Sequence, residues 1–377
     1  GLEHGPNAAL GRLAFKLPVA ASTYRMRLAA HVSELLGDDA AQIAFGESFG
    51  SPVTGTYYAA YPVSKLLKVV ASANPGLRQT GRSASFQTDG YVGSRVRPAS
   101  KPIHYVQTML GRTYPRLKGR PSPKAIAERL PSRRDALALH FMFATGHRPV
   151  GALGQITIDD LLPEESMAVI SDKRSDEAHA TRLVCTGSGF FRELSSYLAD
   201  FRSIARAADY QSHARHLNAM LDGEVPLFSL PGNPVTEQLD VAVLLSKLPK
   251  QWKSRPNLHR HMLCQWMIDR GVSPELRYAQ MGWHDVGHRG FFGESPSAPI
   301  SLGQRLSPLI EDWLNDAGWK SAGTTDFKLE LPRLGRHRDW IALRKAHIES
   351  ARSARKKLDQ QRARDQREAT PYIGARL

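Results

Sequence analysis

Cysteine is nearly absent from this 377-residue chain: Cys185 and Cys264 are the only two, far apart and without a Cys-x-x-Cys pair. That excludes a disulfide framework and a thiolate zinc site, and it fits a reducing compartment. No apolar run approaches the roughly 18 residues that a membrane-spanning helix needs. No secretory pattern opens the chain, so a cytoplasmic location is expected. Also missing are internal repeats and any glycine-rich phosphate loop of the nucleotide- or dinucleotide-binding type, which leaves a small-molecule cofactor enzyme without support. No cofactor and no metal are expected. Acidic residues are outnumbered: 36 Asp and Glu face 51 Lys and Arg, giving a formal net charge of +15 and a pI near 9.9. A surplus of that size favours a polyanionic partner over a merely solubilising surface.

What is present is a mainly helical pattern with one clear hairpin. Thr23 to Leu36 reads as a helix with Leu28, Val32 and Leu35 on one face, stopped by Gly37. A second helix is predicted over Val63–Ala73. Residues 74–102 read as a basic loop with Arg78, Arg82, Arg95, Arg97 and Lys101. Gly111 to Lys124 reads as a basic linker, and Ser122-Pro123 supplies an N-cap and first-turn pair for the next helix. That helix carries Leu137, Phe141 and Ala144 at i, i+4, i+7 and ends at Thr145-Gly146, with Gly146 as the left-handed cap residue and Pro149 blocking resumption. Arg148 therefore stands just beyond the end of a buried helix.

Further on, Ile156–Ile158 is expected as a short strand. Met167–Ser171 and Thr181–Cys185 read as a hairpin whose polar tip, 172–180, begins near Lys173. A helix is expected over 189–208, and 209–250 gives no clear pattern beyond an extended Val225–Phe228. Helices follow from His261 to Asp269, from Ser273-Pro274-Glu275 to Gly282, and over 302–318. Arg333 to Glu368 is charged and helix-forming, with Trp340, Ile341, Leu343 and Ile348 its main apolar residues.

Four short segments then stand in a telling order. Thr145-Gly146-His147-Arg148 comes first, and Lys173 follows Arg148 by 25 positions. Asn257-Leu258-His259-Arg260-His261 opens a helix, and Met281-Gly282-Trp283 closes the next. This order, over about residues 120–300, resembles the catalytic domain of the tyrosine recombinases, the phage-integrase family. Each motif is degenerate alone; order and spacing together are more specific. The resemblance implies a mainly α fold with a small antiparallel sheet, a recombinase-like catalytic domain at 119–330, a helical DNA-binding domain at 1–118 and a basic helical tail at 331–377. It implies double-stranded DNA as partner and a homotetramer in synapsis, with no membrane involvement. It implies catalytic roles for Arg148, Lys173, Asn257, Arg260, Trp283 and the residue at 292. Arg112, Arg116, Lys118 and Arg120 of the linker, with His147, His259 and His261, are expected to contact DNA.

The chemistry accounts for these residue types. Transesterification at a phosphodiester develops charge on the non-bridging oxygens, which two permanently charged guanidiniums can neutralise. A lysine can protonate the leaving 5′-oxygen. An indole N–H can donate to phosphate but cannot shuttle a proton. Three departures stand out. Asn257 occupies the place of the family's histidine. Gly151 occupies that of the usual acidic residue after the first arginine. Position 292, nine beyond Trp283, holds Phe where the nucleophilic Tyr belongs, and Phe291 precedes it. Three readings stay open: a Tyr→Phe replacement at 292, a naturally non-catalytic DNA-binding relative, or delivery of the distant Tyr372.

Overall fold

The structure, a computed structural model, describes residues 21–46, 54–73, 90–94, 121–171, 181–232, 236–248, 257–283 and 299–319. They are mainly helical, with small antiparallel sheets. The chain divides into two compact units that interleave along the sequence. One takes Gly1–Pro115, Leu139–Gly146 and Leu245–Lys320; the other takes Arg116–Ala138, His147–Leu244 and Ser321–Leu377.

In the first unit, helix α1 (Ala21–Leu36) buries Leu28, Ala29 and Val32, whereas Leu35, expected on that face, is exposed. Gly37 turns the chain at φ +102° into α2 (Asp38–Phe45). Only glycine fits there: a Cβ would lie 2.5 Å from Tyr278 Oη and 2.8 Å from Arg277 Nη2. The short α3 (Thr54–Tyr58) leads into β1 (Ala60–Pro62) and α4 (Val63–Ala73). Strand β2 (Tyr91–Gly93) pairs antiparallel with β1, Tyr61 opposite Val92. This corrects the reading of 74–102 as loop throughout. Three residues offer too little alternation to register as a strand without their partner.

Helix α5 (Pro123–Thr145) starts where Ser122 Oγ accepts the Ala125 N–H at 3.3 Å. It ends at Gly146, which adopts φ +61°. Leu137 through Thr145 are buried on every side, as befits a helix end apolar all round. The rest of the first unit is α9 (Leu258–Asp269), α10 (Pro274–Met281) and α11 (Pro299–Asp316).

The second unit holds the hairpin of β4 (Met167–Ser171) and β5 (Thr181–Cys185), in the register Val169↔Leu183, extended by β3 (Leu161–Leu162) beside β4. Helix α6 (Gly187–Ala205) buries Phe190, Leu194, Tyr197, Leu198 and Phe201. Ile156–Ile158 is not a strand. Thr157 instead caps a short 3-10 turn, Ile158–Asp160, its N–H donating to Asp160 Oδ2 at 2.8 Å. A local Thr-x-x-Asp bond competes successfully with extended structure. Within the unclear 209–250 stretch, α7 (Gln211–Leu221) buries only His216, Leu217 and Met220, a face too narrow and polar to announce itself. After it, β6 (Ser229–Leu230) pairs with β7 (Glu237–Gln238), and α8 (Val241–Ser246) follows. Arg134 of α5 reaches Glu237 at 2.8 Å and Asp135 at 2.9 Å, fixing β7 to the helix. Lys173, the linker Arg112, Arg116, Lys118 and Arg120, Phe291, Phe292 and the tail lie outside the described residues. No described helix is long and apolar enough to cross a membrane.

One buried network holds the α1–α2 corner to α10. Arg277 Nη2 donates to Asp39 Oδ1 and to Leu36 O, both at 2.9 Å, and Tyr278 Oη donates to Asp39 Oδ1 at 2.7 Å. Tyr61 Oη donates to Asp39 Oδ2 at 3.0 Å. Burial works most strongly against the charge on Arg277, but the Asp39 carboxylate together with Tyr61, Tyr278 and Cys264 outweighs it, and the pKa is raised. Removing one partner strands the other charge without water, so Asp39→Ala should cost about 3–5 kcal/mol. Urea denaturation of wild type and variant measures it; a loss under 1 kcal/mol would contradict the network.

Candidate functional site

The carbonyls at the end of a helix lack intrahelical partners, and the last turn of α5 is buried. Its carbonyls are met by side chains from α10 and α11: Gln280 Nε2 donates to Ala144 O at 3.0 Å, and Trp313 Nε1 donates to Phe143 O at 3.0 Å. Arg260, fourth residue of the segment beginning at Asn257, supplies the next bond. Its Nη1 donates to Gly146 O and its Nη2 to Met281 O, the latter at 2.8 Å. One guanidinium thus joins three of the four sequence motifs, at Gly146, at Arg260 itself and at Met281. The side chain is fully buried, and its Cζ lies 5.1 Å from the centroid of the Tyr58 ring.

Asn257 opens α9 through its carbonyl, which accepts the Arg260 N–H at 3.0 Å. Its side-chain Oδ1 is buried and has no hydrogen-bond partner among the described residues. Gly282 takes the left-handed conformation, φ +67°, and reverses the chain so that the Trp283 N–H reaches Tyr278 O at 3.1 Å. The Trp283 ring, 5 % exposed, stacks on Tyr58 at 5.7 Å and 23° and lies 5.6 Å from Tyr278. Its Nε1–H is buried and meets no acceptor among the described residues. Here is a donor of the kind that suits an anion, next to the segment that leads toward Phe292.

The three histidines expected at the DNA surface are buried instead. His259 packs against Phe143 at 6.0 Å. His261 lies 4.6 Å from the Tyr58 ring and 3.5 Å from Ser94 Oγ. His147 is fully buried in the second unit, and its Nδ1–H donates to Arg148 O. Each flanks an arginine within a buried helix or helix end, so packing claims the imidazole. Arg148, half-buried, belongs to the second unit; its carbonyl also accepts the Val150 N–H at 2.8 Å. Strands β4 and β5 pair to their ends at Ser171 and Thr181, directly flanking the segment that contains Lys173. Burial raises the Cys264 thiol well above its ordinary range, which removes it as a nucleophile.

The residues that sequence reasoning missed are Tyr58, Tyr278, Gln280 and Trp313. Each acts through a partner more than a hundred positions away, except Tyr278 at Trp283, and no local pattern signals such a pairing. Comparison with family models, with curated proteins and with solved structures found no match.

Arg260→Ala would leave two buried carbonyls unsatisfied. At about 1–3 kcal/mol for each such group, the variant should lose several kcal/mol. Chemical denaturation followed by circular dichroism measures the loss, and a stability equal to wild type would refute the clamp.

Proposed function

We propose that the chain is a site-specific DNA strand transferase of the tyrosine-recombinase type, with Phe at the nucleophile position. What supports this reading most is Arg260: one buried guanidinium connects Gly146, two residues before Arg148, to Met281, two before Trp283. Gly146, Arg260 and Met281, matched only by the order of their motifs in the sequence, are thereby bonded within one unit, while Arg148 belongs to the other. The net charge of +15 fits a DNA partner. The proposed architecture is a recombinase-like catalytic domain over 119–330, an N-terminal helical domain up to about 118 and a basic tail, working as a tetramer on two duplexes. It acts on double-stranded DNA without metal or cofactor.

In this mechanism Arg148, Arg260 and the Trp283 indole stabilise the charge developing at one phosphate. A tyrosine oxygen at 292 bonds to phosphorus, the bond to the 5′-oxygen breaks, and Lys173 protonates that leaving oxygen. The 3′-phosphotyrosyl link conserves the bond energy for rejoining. The phenol, with an unperturbed pKa near 10, needs that cationic field to attack as phenolate. A second reading, a non-catalytic DNA-binding protein on the same fold, is favoured by one observation: position 292 is Phe.

The Phe292→Tyr variant separates the two. Incubated with a labelled nicked duplex and quenched in SDS, it should give a covalent protein–DNA band that the parent lacks. DNA binding by both proteins without any adduct supports the binding-protein reading instead. In that background Arg148→Ala should slow adduct formation by roughly 10²–10³-fold. Lys173→Ala should be slow on ordinary DNA and recover on a 5′-bridging phosphorothiolate, whose sulfur leaves without a proton. Lack of recovery would remove Lys173 from the role of general acid.

A further inference from the structure

Resting on the strand-transfer reading, we infer that Tyr58 is a positioning residue that aligns Arg260 and Trp283 for the phosphate. The two carbonyls that accept from Arg260 fix directions within the guanidinium plane. The Tyr58 ring, 5.1 Å from Cζ, adds a contact from the aromatic side. The same ring stacks on the Trp283 indole at 23°, so it also limits rotation of the side chain that carries the buried, unaccepted Nε1–H. His261 backs the ring at 4.6 Å.

Tyr58 itself has little freedom to shift. It is 5 % exposed. Two residues later the Ala60 N–H donates to Gln265 Oε1 at 3.3 Å, and three later Tyr61 Oη is held by Asp39 at 3.0 Å. An N-terminal segment thus supplies the aromatic wall against which the motif side chains of α9 and of the turn after α10 are held. The hydroxyl has no part in this; the ring has.

The test uses the Phe292→Tyr protein and single-turnover adduct formation at saturating labelled duplex, read as a rate constant and, separately, as an amplitude. Tyr58→Leu should lower the rate constant by about 10–100-fold, the scale of a small misplacement of catalytic groups. DNA affinity should stay near that of the background. Tyr58→Phe, which keeps the ring, should restore the rate. A series of increasingly fluorinated phenylalanines at position 58 should slow the step progressively, because fluorination weakens the cation–π attraction at nearly constant shape; this series decides the matter if Tyr58→Leu fails to fold. A Tyr58→Leu rate constant equal to the background, with only the amplitude reduced, would show a merely structural residue and overturn the inference. So would a rate indifferent to fluorination. Absence of adduct from the Phe292→Tyr background itself would instead sink the strand-transfer reading, and the positioning role with it.

Discussion

The buried end of α5 is the constraint on which the first unit depends. A helix that ends in solvent can leave its last carbonyls to water; this one cannot, because Leu137 through Thr145 are enclosed. Gln280, Trp313 and Arg260 reach its terminal segment from α10, α11 and α9. The solution selects donors that can cross from other helices, and a charged donor makes the stronger bond. Because Arg260 also holds Met281 O, the bond that closes α5 fixes the turn into Trp283. Stability and the placement of a candidate site therefore rest on one side chain.

A second charged group does comparable work where α1 meets α2. Asp39 is buried but accepts from Arg277, Tyr278 and Tyr61, so its charge is compensated on both oxygens. Burial raises the Tyr278 phenol well above its ordinary value, an effect reinforced by the Asp39 charge, which leaves it a hydrogen-bond donor at neutral pH. Gly37 completes the arrangement by leaving room for Tyr278 and Arg277 at the chain reversal. Tyr278 packs against Trp283 as well, so the Asp39 network and the Arg260 clamp meet at the same turn.

Local signals made much of this fold legible. Thr23 to Leu36, Val63–Ala73 and the Ser273-Pro274 helix start were readable because apolar spacing, a glycine stop at Gly37 and a proline at the first helical turn act over a few positions. The hairpin was readable because two apolar runs flank a polar tip. Ile156–Ile158 misled because a Thr-x-x-Asp bond outweighed two isoleucines. For the site, the identity of Arg260 was legible and its environment was not. Sequence order marked it as a phosphate ligand, while its two carbonyl partners and Tyr58 arise only from packing over long separations. The three histidines were expected to contact DNA from the resemblance alone, and all three are buried.

Hydrogen exchange on an Arg260→Met variant tests the central claim most directly. If one guanidinium joins the motifs, protection should fall together in 258–262, in 144–148 and in 278–283, while the α6 amides of the second unit keep theirs. Loss confined to the turn around residue 260, with 144–148 and 278–283 as slow as in wild type, would contradict it.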